Sequence, residues 1–265
     1  MASEAIKLEQ DGGVARITMA RPEKHNAFDD FLISDLSEMF EATGADDSVR
    51  VVILQGEGKS FSAGADLGWM QRMADYSEVE NLADARKLAA MVRSLNELPK
   101  PTIARVQGAA FGGGVGLVAA CDIALASQAA SFCLSEARLG LIPSVISPFV
   151  VEAIGARAAR RYFQTAERFD ADEAHILGLV HEVVPRERLD HRIDELVELL
   201  LANGPNAMAA SKGLIRRVAS GPVDDAMTED TARRIADIRA TEEGREGVRA
   251  FLEKREPSWR MTTKS

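Results

Sequence analysis

Phe61-Ser-Ala-Gly-Ala-Asp-Leu67 and Ala109-Ala-Phe-Gly-Gly-Gly-Val-Gly-Leu117 are the two stretches that decide how this chain folds. Each follows a short apolar run typical of a strand, and each places small residues where the backbone must turn sharply. The second stretch continues into an apolar segment of helical length, so its glycines are expected at a helix N-terminus, where unpaired N–H groups favour negative charge. Two N–H groups from separate turns could form an oxyanion hole. Glycine-rich turns are common, so these residues alone leave a purely structural role open.

The rest of the chain alternates strand patterns with amphipathic helix patterns, which predicts an α/β fold. In one predicted helix the apolar stripe comprises Leu82, Ala85, Leu88, Val92 and Leu95. Residues 51–54 are wholly apolar, as in a strand that is covered on both faces. A strand–loop–helix unit recurs, which predicts a coiled array of such units. No convincing strand follows residues 181–184, and the later patterns are helical. We therefore expect a core with the functional site over residues 1–185 and a helical region for oligomerisation over residues 186–265.

Composition and charge exclude several classes of function. The net charge of −9 argues against a nucleic-acid partner, because phosphate binding needs a basic face. The only two cysteines, Cys121 and Cys133, provide no disulfide framework, which favours a reducing compartment. No apolar run approaches the roughly 18 residues that suggest a membrane span, so a cytoplasmic protein is expected. The four histidines are scattered without ligand spacing, and no metal site is predicted.

The two turns belong to a longer series of motifs that resembles the crotonase (enoyl-CoA hydratase/isomerase) family in order and spacing. The likeness extends from Arg21 to Arg255. It rests on Ser62-Ala-Gly-Ala-Asp-Leu67, Gly108-Ala-Ala-Phe-Gly-Gly-Gly114, Ala119-Ala-Cys-Asp-Ile-Ala124 and Glu136-Ala-Arg-Leu-Gly-Leu-Ile-Pro143.

This resemblance implies a crotonase-like spiral of ββα units with a helical C-terminal region that builds trimers, often paired into hexamers. It implies an acyl-CoA thioester as substrate, with coenzyme A as part of that substrate and no separate cofactor. It also implies that the N–H groups of Ala65 and Gly113 form the oxyanion hole for the thioester oxygen.

The chain departs from the family at one of two glutamates that hydratases of this family usually carry. The matching positions hold Gly116 and Glu136. The resemblance implies that Glu136 is catalytic, and a carboxyl group enclosed by apolar groups would have a raised pKa and could alternate between base and acid. We expect Gly116 to leave space for a branched acyl chain or an ordered water. One carboxylate suffices for hydration or for double-bond isomerisation, so both reactions remain open.

The chain resembles bacterial methylglutaconyl-CoA hydratases, which act in leucine breakdown. This likeness rests on Gly116, on the residues that follow the first turn and on those that follow Pro143. The resemblance implies substrate binding at Ala63, Asp66, Leu67, Trp69, Gly112, Gly116, Pro143 and Ser144, and contacts with coenzyme A at Lys24, His25, Phe251 and Lys254. Simpler alternatives exist. Trp69 could pack beneath the pocket, Ser147 could cap the next helix, and Lys254 could be a solvated surface residue or act from a neighbouring subunit.

The leading functional hypothesis is a lyase that adds water to a 2-enoyl-CoA, with 3-methylglutaconyl-CoA as the candidate substrate. The alternative is an enoyl-CoA delta-isomerase that uses the single glutamate. A third hypothesis, from a different class, is a non-catalytic acyl-CoA-binding protein. Glu136 and the two turns argue against the third, because a protein that only binds needs no base beside the carbonyl.

Overall fold

A computed structural model describes residues 5–219 and 221–260. Within them the strands are β1 (Ile6–Asp11), β2 (Val14–Met19), β3 (Val51–Gly56), β4 (Ser60–Ser62), β5 (Thr102–Val106), β6 (Ala109–Phe111), β7 (Ile123–Ser127), β8 (Ser131–Cys133), β9 (Arg168–Asp170) and β10 (Glu182–Val184). The helices are α1 (Asp30–Ala45), α2 (Leu67–Ala74), α3 (Glu78–Glu97), α4 (Gly113–Ala120), α5 (Ser147–Thr165), α6 (Ala171–Leu177), α7 (Leu189–Leu201), α8 (Pro205–Ala219), α9 (Asp225–Ala240) and α10 (Glu242–Leu252).

The strands form two sheets, and the chain passes repeatedly from one to the other. The larger sheet has the order β1-β2-β3-β5-β7-β10, and the smaller has the order β4-β6-β8-β9. The first pair, β1 with β2, is antiparallel, and the other neighbours in the larger sheet are parallel. In the first unit both strands, β1 and β2, lie in the larger sheet. The next three units, which begin at β3, β5 and β7, each contribute one strand to the larger sheet, a short strand to the smaller sheet and then helix. This confirms the predicted α/β spiral of ββα units.

Both faces of the larger sheet are covered, which explains why β3 is apolar throughout. Val52 and Leu54 face the main core, which also includes residues of α1, α3, α4 and α5. Val51 and Ile53 point the other way and pack with Leu189 and other residues of α7. Because successive side chains of a strand point to opposite faces, a strand between two cores needs apolar residues at every position.

The apolar face of α3 becomes buried further along the helix than the sequence pattern predicts. Met91, Val92 and Leu95 are buried, whereas Leu82 is half-exposed. The helix starts in a capping box, in which the Ser77 side chain accepts from the Glu80 N–H and the Glu80 side chain accepts from the Ser77 N–H. The first turns of α3 therefore stand free of the core, and this leaves room for a cavity beneath them.

The C-terminal helices are anchored at the edge of the larger sheet where its parallel strands begin. Arg50, directly before β3, donates hydrogen bonds to the carbonyls of Leu201, Asn203 and Trp259. Lys212 of α8 forms an ion pair of 2.8 Å with Asp122, which also accepts from the Thr102 N–H. Asp122 is hydrogen-bonded in this contact, and its side chain remains partly accessible.

Candidate active site

The pairing of the smaller sheet brings the two glycine-rich turns together. β4 pairs with β6 in parallel, and β6 pairs with β8 in parallel. The segments that follow these strands therefore leave the same edge of the sheet, where ligands commonly bind in parallel α/β folds. The Gly112 N–H donates to the carbonyl of Cys133 over 2.8 Å, and this bond fixes the second turn beside the segment that leads to Glu136.

A cavity of about 680 Å³ opens at this edge. Its floor consists of the two turns and Phe28, one wall is the loop from Ser135 to Ile146, and the other wall consists of side chains from α2 and α3. The second wall comprises Trp69, Met70, Met73, Asn81, Asp84, Ala85 and Leu88. The volume suits a small-molecule ligand, and its mostly apolar lining with a few polar groups is typical of such sites.

The N–H of Ala65 points away from the sheet because of the way in which Phe28 pairs with this turn. The Phe28 N–H donates to the carbonyl of Gly64 over 2.6 Å, and Phe28 accepts from the Asp66 N–H over 2.7 Å. In such a parallel bridge the residue between the two partners turns its own N–H to the opposite side. Ala65 lines the cavity, and its N–H donates to no acceptor in the described ranges.

Gly113 is the first residue of α4, and its N–H likewise has no acceptor within the described part of the chain. The preceding Gly112 has φ 50° and ψ −118°, a conformation that glycine adopts at little cost and other residues avoid. A Cβ on Gly113 would lie 2.8 Å from Cε2 of Phe28, closer than such atoms approach one another. Ala65 and Gly113 therefore both line the cavity with N–H groups that have no acceptor in the described ranges, and Gly113 has no room for a side chain.

Glu136 follows β8 and lies against the second turn. A Cβ on Gly112 would be 3.2 Å from its Oε1, which shows how closely the carboxyl group approaches the glycine backbone. Its Oε2 is buried and has no hydrogen-bond partner among the described residues. Burial raises the pKa of Glu136, because the charged form loses its hydration. A carboxyl group with a raised pKa beside two free N–H groups can exchange protons with a bound thioester.

The space expected at Gly116 does not exist, because Ile146 fills it. A Cβ on Gly116 would lie 2.1 Å from Cγ2 of Ile146, and Gly116 is not part of the cavity wall. Ile146 is itself 3% exposed and lines the cavity. The position that carries a second carboxylate in many hydratases is thus occupied by an aliphatic side chain that arrives from another loop. Neither a branched acyl chain nor a water can use that space.

The other residues predicted to bind substrate divide into two groups. Ala63, Trp69, Gly112, Pro143 and Ser144 line the cavity. Trp69 combines both expected roles, since it is 4% exposed and also packs in the main core.

Asp66, which caps α2, and Leu67, its first residue, were also predicted to bind substrate but do not line the cavity. Leu67 is 77% exposed at the surface. The Asp66 side chain accepts from the Gly68 and Trp69 N–H groups and lies 3.3 Å from Nζ of Lys24. Burial would raise the pKa of Asp66, but these hydrogen bonds and the ammonium group outweigh it and hold the pKa below its usual range.

The residues predicted to contact coenzyme A lie in two separate places. Lys24 and His25 are exposed in the segment that packs on the first turn, and the His25 carbonyl accepts from the Ala63 N–H over 2.9 Å. Phe251 and Lys254 are exposed near the end of α10, which packs with α8 and α9. That group of helices is anchored where β3 and β5 begin, whereas Lys24 and His25 belong to the segment that packs on the turn after β4.

Three residues that shape the cavity escaped the sequence analysis. Phe28 lies near the start of the likeness at Arg21 but carries no chemical signal of its own. Asp84 lines the cavity and accepts a hydrogen bond from Nε1 of Trp69 over 3.3 Å, and its position beside Leu88 on the predicted helix stripe could have revealed it. Ile146 had no such signal, because only the folded chain brings it to Gly116. Ser147, considered as a helix cap, lies inside α5, and its hydroxyl donates to the Ser144 carbonyl instead.

Across residues 5–219 and 221–260, no cluster of three or more His, Cys, Asp or Glu side chains is arranged to hold a metal ion. No helix in the same ranges has both the length and the apolar character to cross a membrane.

The sequence model of the enoyl-CoA hydratase/isomerase family matches residues 9–262. The chain belongs to this family. It is 32% identical to the crotonyl-CoA hydratase of Syntrophomonas wolfei over 261 residues, which cover 98% of this chain and 99% of that protein. It is 31% identical to the carnitinyl-CoA dehydratase of Escherichia coli, with 97% of this chain and 99% of that protein covered.

A crystal structure of an enoyl-CoA hydratase from Shewanella pealeana superimposes with a TM-score of 0.94 at 47% identity, and 96% of each chain is covered. The family membership makes this chain an enzyme of the hydratase/isomerase type. Both the predicted family and the predicted fold are thereby confirmed.

Proposed function

We propose that this enzyme adds water to a 2-enoyl-CoA and that Glu136 carries the proton. The observation that supports this most strongly is the buried carboxyl group of Glu136, with an unpaired Oε2 and a raised pKa, beside the two turns. The carboxylate takes a proton from water while the water oxygen bonds to C3, and it then delivers the proton to C2. The C2–C3 double bond is lost, and the negative charge that forms on the thioester oxygen is stabilised by the Ala65 and Gly113 N–H groups. No cofactor is needed, since coenzyme A is part of the substrate.

A single carboxylate has to serve as both base and acid in this proposal. Ile146 occupies the place in which a second carboxylate would stand, and Asp84 is on the opposite wall in a hydrogen bond with Trp69. A raised pKa suits this double use, because proton transfer is most efficient when the pKa of the carrier is near the working pH. The base is regenerated at the end of each turnover.

For the acyl group we propose 3-methylglutaconyl, which would place the enzyme in leucine degradation. None of the described residues that line the cavity is Lys, Arg or His, so the distal carboxylate of this substrate would need neutral donors. The Ser144 hydroxyl and the N–H groups of Val145 and Ile146 line the cavity at the start of α5 and make no hydrogen bonds as donors in the described ranges. Free N–H groups at a helix N-terminus favour an anion.

Ser144→Ala tests the acyl group. Loss of one hydrogen bond to a carboxylate should reduce kcat/KM for 3-methylglutaconyl-CoA by about tenfold, while crotonyl-CoA, which has no distal carboxylate, should be affected less than about twofold. Ser147→Ala is the control, because its hydroxyl lies beside the same loop but bonds to the Ser144 carbonyl. An equal loss for both substrates would refute a carboxylate site at Ser144.

A second candidate is enoyl-CoA isomerisation, and the apolar contact between Gly116 and Ile146 favours it specifically. An isomerase needs one group to remove a proton from C2 of a 3-enoyl-CoA and return it to C4, and it gains from the exclusion of water. An aliphatic side chain in place of the second carboxylate provides such a surface. The oxyanion hole would serve in the same way, because the intermediate is again an enolate.

One spectrophotometric screen separates the two reactions. Hydration of crotonyl-CoA or 3-methylglutaconyl-CoA removes the absorbance of the conjugated thioester, whereas isomerisation of a 3-enoyl-CoA creates it. We expect loss of absorbance with wild-type enzyme and none with Glu136→Gln. Turnover of the 3-enoyl-CoA alone would replace the hydratase proposal with the isomerase.

We propose a homotrimer or hexamer in the cytoplasm. Apolar side chains of the C-terminal helices remain exposed, among them Ile215 at 62% and Phe251 at 82%, and a subunit interface would bury them. Such an interface could also bring Phe251 and Lys254 to the coenzyme A of a neighbouring subunit. Cys121 and Cys133 are both buried and unpaired, in keeping with a reducing compartment. Sedimentation as a compact monomer at micromolar concentration would contradict the assembly.

A further inference from the structure

Phe28 contacts both halves of the proposed oxyanion hole. It is 1% exposed and lies between β2 and α1, in neither of the glycine-rich turns. Its backbone pairs with Gly64 and Asp66, on either side of Ala65. Its ring lies beneath Gly113, where a Cβ would meet Cε2 at 2.8 Å and Cδ2 at 3.0 Å. One residue is thus attached to the first donor through hydrogen bonds and to the second through van der Waals contact.

The backbone of Phe28 is held rigidly by the residues before it. Asn26 is fully buried with φ 53°, a left-handed conformation that only a few residue types tolerate. Its Nδ2 donates to the carbonyls of Glu57, Ser60 and Phe61, and its own carbonyl accepts from the Ser62 hydroxyl over 2.8 Å. These hydrogen bonds hold the chain just before Phe28 against β4 and the segment that precedes it.

We infer that Phe28 is a positioning residue that sets the spacing between the Ala65 and Gly113 N–H groups. The flat ring supports Gly113 from below, so its thickness determines how far α4 can approach the first turn. Donors in an oxyanion hole act through their fit to the developing negative charge. A small displacement of one donor therefore reduces the stabilisation of the transition state more than that of the ground state. This inference rests on the proposed oxyanion hole, whichever reaction the enzyme catalyses.

The test uses Phe28→Leu, which removes the ring and keeps an apolar side chain. Phe40→Leu is the matched control, since Phe40 is a fully buried phenylalanine of the same core in α1 that lies outside the cavity lining. Phe28→Met is a second, milder variant that fills the space with a flexible chain in case Phe28→Leu does not fold. Thermal unfolding of all three variants reports the loss of stability that they share.

The readout is the enolate of bound acetoacetyl-CoA, which has its own ultraviolet band and shares its negative charge between the thioester oxygen and the 3-keto oxygen. Wild-type enzyme should lower the pKa at which the bound ligand ionises. Phe28→Leu should reduce the enolate-to-keto ratio at fixed pH by about tenfold, which corresponds to one pKa unit. The affinity for saturated butyryl-CoA should change by less than about threefold, because that ligand carries no developing charge. Phe40→Leu should leave the ratio within about twofold of the wild type.

Each other outcome overturns a different statement. If wild-type enzyme does not promote the enolate at all, the proposed oxyanion hole is wrong. If wild-type enzyme promotes it and neither Phe28 variant reduces it, the hole stands and the role of Phe28 is wrong. An equal reduction in Phe40→Leu would show that a general loss of stability is the cause, and this also refutes the positioning role.

Discussion

The two sides of the cavity are built in different ways. The floor consists of backbone: the Ala65 and Gly113 N–H groups are held by sheet pairing, by buried hydrogen bonds and by contacts too close for an added Cβ. The loop from Leu139 to Ile142 is far less constrained, and Leu139, Leu141 and Ile142 are all exposed. Under the proposed function, the thioester chemistry depends on a part of the molecule that tolerates little change, whereas the acyl group would meet a wall in which side chains can vary.

The largest effect is expected where the two sides meet, at Glu136. Glu136→Gln keeps the shape of the side chain but removes the proton carrier, so kcat should fall by about 10²–10⁴ while acyl-CoA affinity stays within several-fold. Steady-state kinetics and ligand titration measure the two quantities. Asp84→Asn is the control, because it neutralises the other carboxylate that lines the cavity. Should Glu136→Gln retain more than about a tenth of wild-type kcat, Glu136 would not be the proton carrier.

A substitution in the floor of the cavity should reduce kcat almost as much. In Gly113→Val the new side chain collides with the Phe28 ring, and the displaced N–H should cost about 10²–10³ in kcat with a much smaller effect on affinity. Gly213→Val serves as the control, since nothing lies within 4 Å of the position of a Cβ at Gly213 in α8. Circular dichroism and melting temperature show whether the fold survives. Activity equal to that of the wild type would mean that the carbonyl is bound elsewhere.

A smaller effect is expected where Ile146, which lines the cavity, packs on α4. Gly116→Glu forces a side chain into the space of Ile146, so the free energy of unfolding should fall by about 1–3 kcal/mol, and turnover of every acyl-CoA should decline. Gly213→Glu should be nearly neutral, because that helix position is open. Chemical denaturation provides the measurement.

The double variant Gly116→Glu/Ile146→Gly makes room for the new carboxyl group and should recover most of the lost stability. If it also hydrates crotonyl-CoA faster than Ile146→Gly alone, the added group acts as a second acid or base. No recovery of stability would mean that Ile146 is not the obstacle.

The smallest effect concerns the pH dependence. Burial raises the pKa of Glu136, so kcat/KM should decline as the pH falls through a value above the usual range of about 4.3 for Glu. The pH dependence of stability has the opposite sign. The folded chain retains the Glu136 proton at pH values at which the unfolded chain has lost it. The contribution of Glu136 to stability therefore falls as the pH rises from the unfolded pKa to the raised one. Glu136→Gln should become more stable relative to the wild type over that window, and a constant difference would contradict burial as the cause.

The sequence patterns predicted secondary structure correctly where a short segment determines it by itself. The apolar run of β3, the glycines before α4 and the helical patterns after residue 186 all lie where strands, a turn and helices form. The pattern was misleading in the first turns of α3, because Leu82 fits the helix stripe but faces solvent. Periodicity shows which residues share a face, and only the packing partner determines how far along the helix that face is buried.

For the site, the sequence predicted the chemistry and the tertiary structure decided the space. The two glycine-rich turns are readable locally, because small residues express a requirement of the backbone, whereas the roles of Ala65, Gly113 and Glu136 were implied by the family resemblance and stay predictions. Whether Gly116 leaves a gap depends on Ile146, which is distant in the chain and reaches that point only through the packing of α5 on α4. Close packing fills any space that a missing side chain would leave, and the residue that fills it cannot be read from the position that lost it.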